Sequence, residues 1–463
     1  MDRRKVVIAS FWVVGVFGVS QLLRLGGNLV VTRLLEPEMF GLMAIVYIVM
    51  QGVVMFSDLG FWAFIVRHEN GTEERLLNTV WTMQVLRGWL MFFGIVMLAI
   101  ILIINNRILH IDLGYIYSDS KLPFLLIVIG LTSIVGGYKT LASAVESREL
   151  KRGRLELIEL IAQLIGTGVM LFWAWKLPSI WALASAGVIA SIVNVVLTAK
   201  LFDYKHKLAW DRDIVTEVFD FGKWIFIASI LTYLAQQGDR LILGSYISAQ
   251  ELGIYSIAFM LIGAISSVLD QLNYKIFFPI FSKVVNSNLS TQKLRQKYYF
   301  IRLRQDVVVF FIAGALIATS PKIIEILYDD RYLSAGWMMQ ILSFSLIGLG
   351  LTKLGMECLS ALGITKIRMH IMFCRALSVF IGIPILFYYY GFLGAIWGVV
   401  LGSFSGIPIQ YMEMKKQNIF SLFSEIRMLP MIIIGYLLGC FLCEYPIFLN
   451  IENLSLMRIV SSE

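Results

Sequence analysis

A chain of 463 residues has the length of about three soluble domains, but 58% of its residues are hydrophobic and only 15% charged, with a mean hydropathy of +0.79. Soluble proteins average roughly 45–50% apolar and 25% charged residues, so the surplus apolar surface must face lipid. Soluble enzymes, secreted disulfide scaffolds and disordered tails are thereby excluded, and the net charge of +8 needs an explanation other than a nucleic-acid partner.

The chain opens on Arg3, Arg4 and Lys5, followed by an apolar run too long for a secretory signal, carrying Arg24 and lacking a small-x-small cleavage site. It reads as a retained helix. Runs of about 20 apolar residues, the length that crosses a bilayer, are centred near residues 20, 52, 92, 132, 165, 190, 234, 264, 314, 348, 380, 401 and 439, predicting about thirteen spans with mostly short loops. With the N-terminus in the cytoplasm, inside segments hold 25 of the 39 basic residues and outside segments 7. The remaining Arg24, Arg87, Lys139, Arg240, Lys275, Lys353 and Arg375 fall within or at the edges of spans. This is the positive-inside pattern, so topology, not nucleic acid, accounts for the charge.

The chain also repeats itself. A shift of 212 residues superposes Trp12 on Trp224, Gly26 on Gly238, Gly41 on Gly253 and Asp58 on Asp270, with seven identities from Trp12 to Asp58. A shift of 214 superposes Gly136 on Gly350, Lys139 on Lys353 and Arg154 on Arg368. Six helices separate equivalent elements, and an even number preserves orientation, so the halves are expected to be parallel repeats about an axis along the membrane normal. The fold expected is an all-α polytopic membrane protein: a six-helix bundle over 1–210, a second over 211–415 and an appended helix and tail over 416–463, with a central cavity between the bundles.

An ionisable side chain at mid-bilayer costs roughly 2.5–3.5 kcal/mol on insertion scales and by default faces protein or water. In the first helix Gln21, Arg24 and Asn28 share one face at i, i+3, i+7. The repeat-related helix carries Thr232, Gln236, Asp239 and Arg240. Lys139, Ser143 and Glu146 form a stripe on the fourth helix, and Lys353, Glu357 and Ser360 on the tenth. Arg24, Arg240, Lys139 and Lys353, with Gln21, Asn28 and Gln236, are therefore the candidate substrate-binding residues, because guanidinium and ammonium groups replace the hydration of phosphate oxygens. The competing reading is that each cation neutralises a nearby acid, Lys353 with Glu357 and Arg240 with Asp239. Asp58, Asp270, Asp239 and Glu357 are candidates for gating or coupling, while Arg87, Lys275 and Arg375 lie close enough to the inner interface to snorkel.

No catalytic constellation, phosphate loop or ATPase module is evident: His68, His110, His206 and His370 are scattered. The longest outside loop, near 105–121, offers only Asp112 and Asp119 as acids. Cys440 and Cys443 form a C-x-x-C without ligand partners at suitable spacing and read as packing; no metal is expected. Tryptophans at 62, 81, 89, 173, 175 and 337 near span ends suit interfacial belts.

At Arg33-Leu-Leu-Glu-Pro-Glu-Met-Phe-Gly41, Ser57-Asp58-Leu59-Gly60 and the stretch from Gly238-Asp239-Arg240 to Tyr255, the chain resembles polysaccharide (Wzx-type) flippases of the multidrug, oligosaccharidyl-lipid and polysaccharide exporter superfamily. The resemblance extends to about residue 412. It implies two six-helix bundles that open alternately inward and outward in a bacterial inner membrane. The implied substrate is a polyprenyl-pyrophosphate-linked oligosaccharide bound for O-antigen, capsule or exopolysaccharide. Expected partners are that substrate, membrane lipid, a polysaccharide polymerase and glycosyltransferases, with no cofactor beyond a coupling ion, H+ or Na+, that the sequence leaves open. The family usually has twelve or fourteen helices; thirteen leaves the C-terminus outside, and the tail from Ile451 to Glu463 is too short for another span.

Three other functions remain in competition. A lipid II flippase shares the same chemistry. A drug or cation antiporter is expected, by resemblance, to carry an acid in the first helix, where this chain has Arg24. A membrane-embedded glycosyltransferase or polymerase requires an interfacial acid or base.

Overall fold

The computed structural model describes residues 3–111, 113–148, 153–202, 204–286, 291–364 and 366–444, with side chains from residue 18 onward. Asp112, the tail 451–463 and the side chains of Arg3, Arg4, Lys5 and Trp12 lie outside the described residues. The described chain is all helical: α1 (Arg3–Leu34), α2 (Pro37–Met55), α3 (Phe61–Arg67), α4 (Glu74–Ile104), α5 (Leu122–Gly137), α6 (Ala142–Arg148), α7 (Gly153–Lys176), α8 (Ile180–Leu201), α9 (Arg212–Tyr246), α10 (Ala249–Leu272), α11 (Phe278–Asn286), α12 (Thr291–Leu327), α13 (Ala335–Ala361), α14 (Lys366–Phe404), α15 (Ile407–Lys416), α16 (Leu422–Ile426) and α17 (Pro430–Glu444). Helices are what hydrocarbon permits, since each satisfies its own backbone groups.

Nine helical stretches among the described residues are long and apolar enough to cross a membrane, ten if the bent pair α5 and α6 is one span. The chain is a multi-pass membrane protein. Its outer faces carry large apolar side chains such as Leu90, Phe93 and Met97. Two features separate this count from the thirteen expected. The polar α1 and α9 are not among the nine, and the stretch from Lys366 to Lys416 counts once although it doubles back. Gly391 takes φ 61° and ψ −149° inside α14. Beyond it Gly394 lies against Leu386, Gly398 against Ile383, Gly402 against Val379 and Gly406 against Ile371. The two arms are antiparallel and correspond to the spans expected near residues 380 and 401.

The chain divides into two compact units, Met1–Gly253 and Ile254–Glu463. In the first, α1 packs on α7, α7 on α8, α4 on α5 and α2 on α9. Thus α9, with which the sequence opens the second bundle, packs against α2 in the first unit. In the second, α12 lies between α13 and α17, and α13 also packs on α14. The last helix is built into this unit: Gly314 sits against the carbonyl of Ile432, Gly435 against that of Phe311 and Gly439 against that of Ala315. Small residues on both helices let the backbones approach, as in lipid-embedded pairs generally.

Within the first unit, Gly41 of α2 faces the carbonyl of Ala249, and Gly253 faces that of Pro37. The contact is reciprocal at an offset of 212 residues. A Cβ on either glycine would fall within 2 Å of that oxygen, an overlap that only backbone movement relieves. Gly41→Ala and Gly253→Ala are each expected to lower stability by on the order of 1–3 kcal/mol, read as a lower unfolding temperature of the purified protein in detergent. Gly263→Ala, where a Cβ meets nothing within 4 Å, is expected to match wild type.

Candidate functional site

In the first unit α1 is pinned to α7 by the Ser20 hydroxyl donating to Gln163 and by Gln163 Nε2 donating back to the Ser20 carbonyl at 3.0 Å. On the predicted stripe, Gln21 and Asn28 are half-buried and Arg24 is exposed. Arg24 has no hydrogen-bond or ion-pair partner among the described residues.

Arg240 is differently placed. Its Nη2 donates to Gln237, whose Nε2 donates to Gln51 of α2 at 2.8 Å. Its Nε stands 4.0 Å from Oδ1 of the buried Asp239. One turn earlier Tyr233 donates to the Ile48 carbonyl at 3.1 Å and fixes α9 on α2. The predicted Gln236 is exposed, and its neighbour Gln237 is the buried member that bonds Arg240. Sequence reading missed Gln237 and Gln51; the adjacent glutamines Gln236 and Gln237 were the available signal.

Lys139 does not sit on a helix stripe. The expected fourth helix breaks by 52° between α5 and α6, and Lys139 occupies the break, so Lys139, Ser143 and Glu146 do not share one continuous face. Paired glycines end α5, and Gln84 Nε2 satisfies the freed carbonyls of Gly137 and Lys139 at 3.0 and 2.8 Å. The Lys139 ammonium is half-buried and has no hydrogen-bond or ion-pair partner among the described residues; Glu159 of α7 lies within electrostatic reach.

Asp58 closes the end of α2. Its Oδ1 accepts from the N–H of Gly60, which takes φ 68°, at 2.9 Å. Its Oδ2 accepts from Ser229 at 3.5 Å. Arg87 donates to Ser57 Oγ at 3.0 Å and to the Val54 carbonyl at 2.7 Å, capping the same helix end.

In the second unit the expected pair Lys353–Glu357 is absent. Lys353 Nζ bonds Asp270 Oδ1 at 2.8 Å, Ser266 Oγ at 2.7 Å and the Ser266 carbonyl at 3.2 Å. Glu357 instead accepts from Arg368 at 2.7 Å. The correction has a simple cause: one turn apart on α13, each side chain finds a better-placed partner on another element. A separate cavity of about 370 Å³ in the first unit is lined by Glu36, Glu38, Lys121 and Trp181 among others, and no predicted site residue borders it.

Over residues 30–336 the chain matches the family of polysaccharide biosynthesis proteins. It belongs to that family. Among its relatives, the lipopolysaccharide biosynthesis protein WzxC of Escherichia coli K12 is 22% identical over 460 residues, covering 94% of this chain and 88% of the relative. The teichuronic acid biosynthesis protein TuaB of Bacillus subtilis is 20% identical over 288 residues, 62% of this chain and 56% of its own. Among solved structures, the lipid II flippase MurJ in an inward closed conformation superposes with a TM-score of 0.68 at 15% identity, covering 94% of this chain and 98% of that one. An inward-facing multidrug resistance transporter of the MATE family superposes with a TM-score of 0.67 at 13% identity, covering 87% and 96%. The chain therefore shares the fold of these two structures.

In the loop between α8 and α9, His206 supports the break that carries Lys139. Its Nε2 accepts the N–H of Leu141 at 3.2 Å and its ring stacks on Trp81 at 5.7 Å. Burial lowers its pKa below the ordinary value, so the folded protein favours the neutral ring. The resulting stability is fully present above about pH 6.5 and is lost as pH falls through the depressed value. The unfolding temperature is expected to drop between pH 7 and pH 5, and to drop less in His206→Gln, whose amide oxygen accepts the same N–H at either pH.

Proposed function

We propose that the chain is a flippase that carries a polyprenyl-pyrophosphate-linked oligosaccharide from the inner to the outer leaflet of a bacterial cytoplasmic membrane, by alternating access, for O-antigen, capsule or exopolysaccharide assembly. Membership of the polysaccharide biosynthesis family, a relative named for lipopolysaccharide biosynthesis and a fold shared with a lipid II flippase support this reading. The carrying observation is Lys139, a half-buried ammonium in a helix break with no bonded partner among the described residues, while Lys353, its match in the sequence, is bonded three times over. A cation kept in an apolar layer without a bonded carboxylate is a ready site for an anionic oxygen. Pyrophosphate supplies such oxygens, and the polyprenyl tail stays in lipid.

Arg24 and Arg240 extend the same site, Gln21, Asn28 and Gln236 give it neutral polar contacts, and Asp239 sets the orientation of Arg240. Lys353 has a different role: with Asp270 it forms a closed pair that ties α13 to α10. Asp58 and Glu357 hold helix ends and loops rather than substrate.

Transport by variants separates these roles. Lys139→Gln, Arg24→Ala and Arg240→Ala are expected each to impair export several-fold at normal protein level, so that lipid-linked oligosaccharide accumulates on the inner leaflet. Lysine at 24 or 240 should retain more function than alanine, because charge survives although the bidentate geometry is lost. The double change Lys353→Gln with Asp270→Asn removes both charges of the closed pair and is expected to export more than Lys139→Gln. Wild-type export by Lys139→Gln would remove this site from the mechanism.

The proposed orientation places the N-terminus and the loops around 148–154, 283–304 and 415–427 in the cytoplasm. Single cysteines at the exposed positions Arg154, Lys293 and Lys416 should resist a membrane-impermeant thiol reagent added to intact cells. They should react once the membrane is opened; labelling of any of them from outside would reverse the topology.

A further inference from the structure

The most deeply buried charges in the second unit belong to neither proposed role. Arg302 and Asp306 of α12 and Glu425 of α16 expose 1%, 1% and none of their side chains. Arg302 Nε meets Asp306 Oδ2 at 2.9 Å, and Nη2 meets Glu425 Oε2 at 2.9 Å. Nη1 donates to Tyr298 Oη at 2.9 Å and to the Leu351 carbonyl of α13 at 3.1 Å. Nε and Nη1 hydrogen-bond, Nη2 meets Glu425 as an ion pair without a hydrogen bond, and one cation faces two carboxylates.

The remaining groups around the cluster do not restore the balance. Tyr298 and Tyr299 donate to Glu425 Oε1 at 3.2 and 3.1 Å. Tyr411 of α15 faces Glu425, Arg302 and Asp306, and the Cys358 thiol of α13 faces Tyr298 and Glu425. Gln305, one residue from Asp306 and buried, bonds through neither amide atom. None of these is a second cation. An unpaired negative charge in a site closed to water is strongly disfavoured, and two carboxylates competing for one cation relieve it by keeping one proton between them.

We propose that this cluster is a buried proton-binding site and that the proton is carried by Asp306. The donors decide the carrier. Glu425 accepts two tyrosine hydroxyls on Oε1 and ion-pairs with Arg302 through Oε2, which favours its ionised form. Asp306 accepts a single N–H, on Oδ2, and its Oδ1 has no hydrogen-bond partner among the described residues, so the proton resides there. Release of the proton leaves one excess negative charge that the cluster relieves by admitting water or by withdrawing Glu425. Because Glu425 is what α16 contributes, proton occupancy and the docking of α16 on α12 are linked.

Infrared difference spectroscopy of the purified full-length protein in lipid reads a protonated carboxyl directly as a carbonyl band. At neutral pH wild type is expected to show a band that moves when aspartate is labelled with carbon-13 and stays when glutamate is labelled. Asp306→Asn, nearly the same shape, should abolish it. Glu425→Gln should abolish it too, because one carboxylate then balances one guanidinium and Asp306 gives up its proton; this variant keeps the test open if Asp306→Asn folds poorly. A band that survives Asp306→Asn, a band that follows the glutamate label, or no such band in wild type overturns the proposal.

Discussion

A charge withdrawn from water must find its counterpart in the protein, since burial removes the water that would solvate it. The polar architecture of this chain follows from that constraint. Arg302 gathers two acids, a hydroxyl and a carbonyl. Lys353 gathers an acid, a hydroxyl and a carbonyl, and Arg87 covers the end of α2. Against that background Arg24 and Lys139 stand out, with no hydrogen-bond or ion-pair partner among the described residues.

Much of the fold was legible because the bilayer reduces it to length and apolarity. Most of the spans lie where the apolar runs place them, including the two arms that meet at Gly391. What the sequence could not convey was where helices stop being helices. The run near residue 132 is apolar throughout, and nothing in its hydropathy marks the 52° break that removes Lys139 from a helical stripe. Gly136 and Gly137 permit the break; Gln84, more than fifty residues earlier, supplies the amide that makes it tolerable.

Partner choice was the less legible half of the site. Helical spacing pairs Lys353 with Glu357, yet i+4 neighbours compete with every carboxylate on adjoining helices, and Asp270 and Arg368 are better placed. Arg302 illustrates the same limit in reverse. Its place in a basic segment made it one of the inside-positive residues, although the Asp306 four residues on was visible. Only packing brings Glu425, 123 residues away, onto the same guanidinium and turns a loop charge into a core one.

Lys139 and Lys353, matched in the sequence, stand in different surroundings. The aspartates Asp58 and Asp270 match at an offset of 212 residues and the lysines at 214. Asp270 lies in the last turn of an unbroken α10, within reach of Lys353. Asp58 falls just after α2 has ended, where the left-handed Gly60 turns the chain and offers its N–H, and where Arg87 crowds the same helix end. Ending one helix a turn early therefore diverts the acid to capping and leaves its lysine unmatched. The second unit gains a structural tie from the pair, while Lys139 in the first has no bonded carboxylate among the described residues and only Glu159 within electrostatic reach.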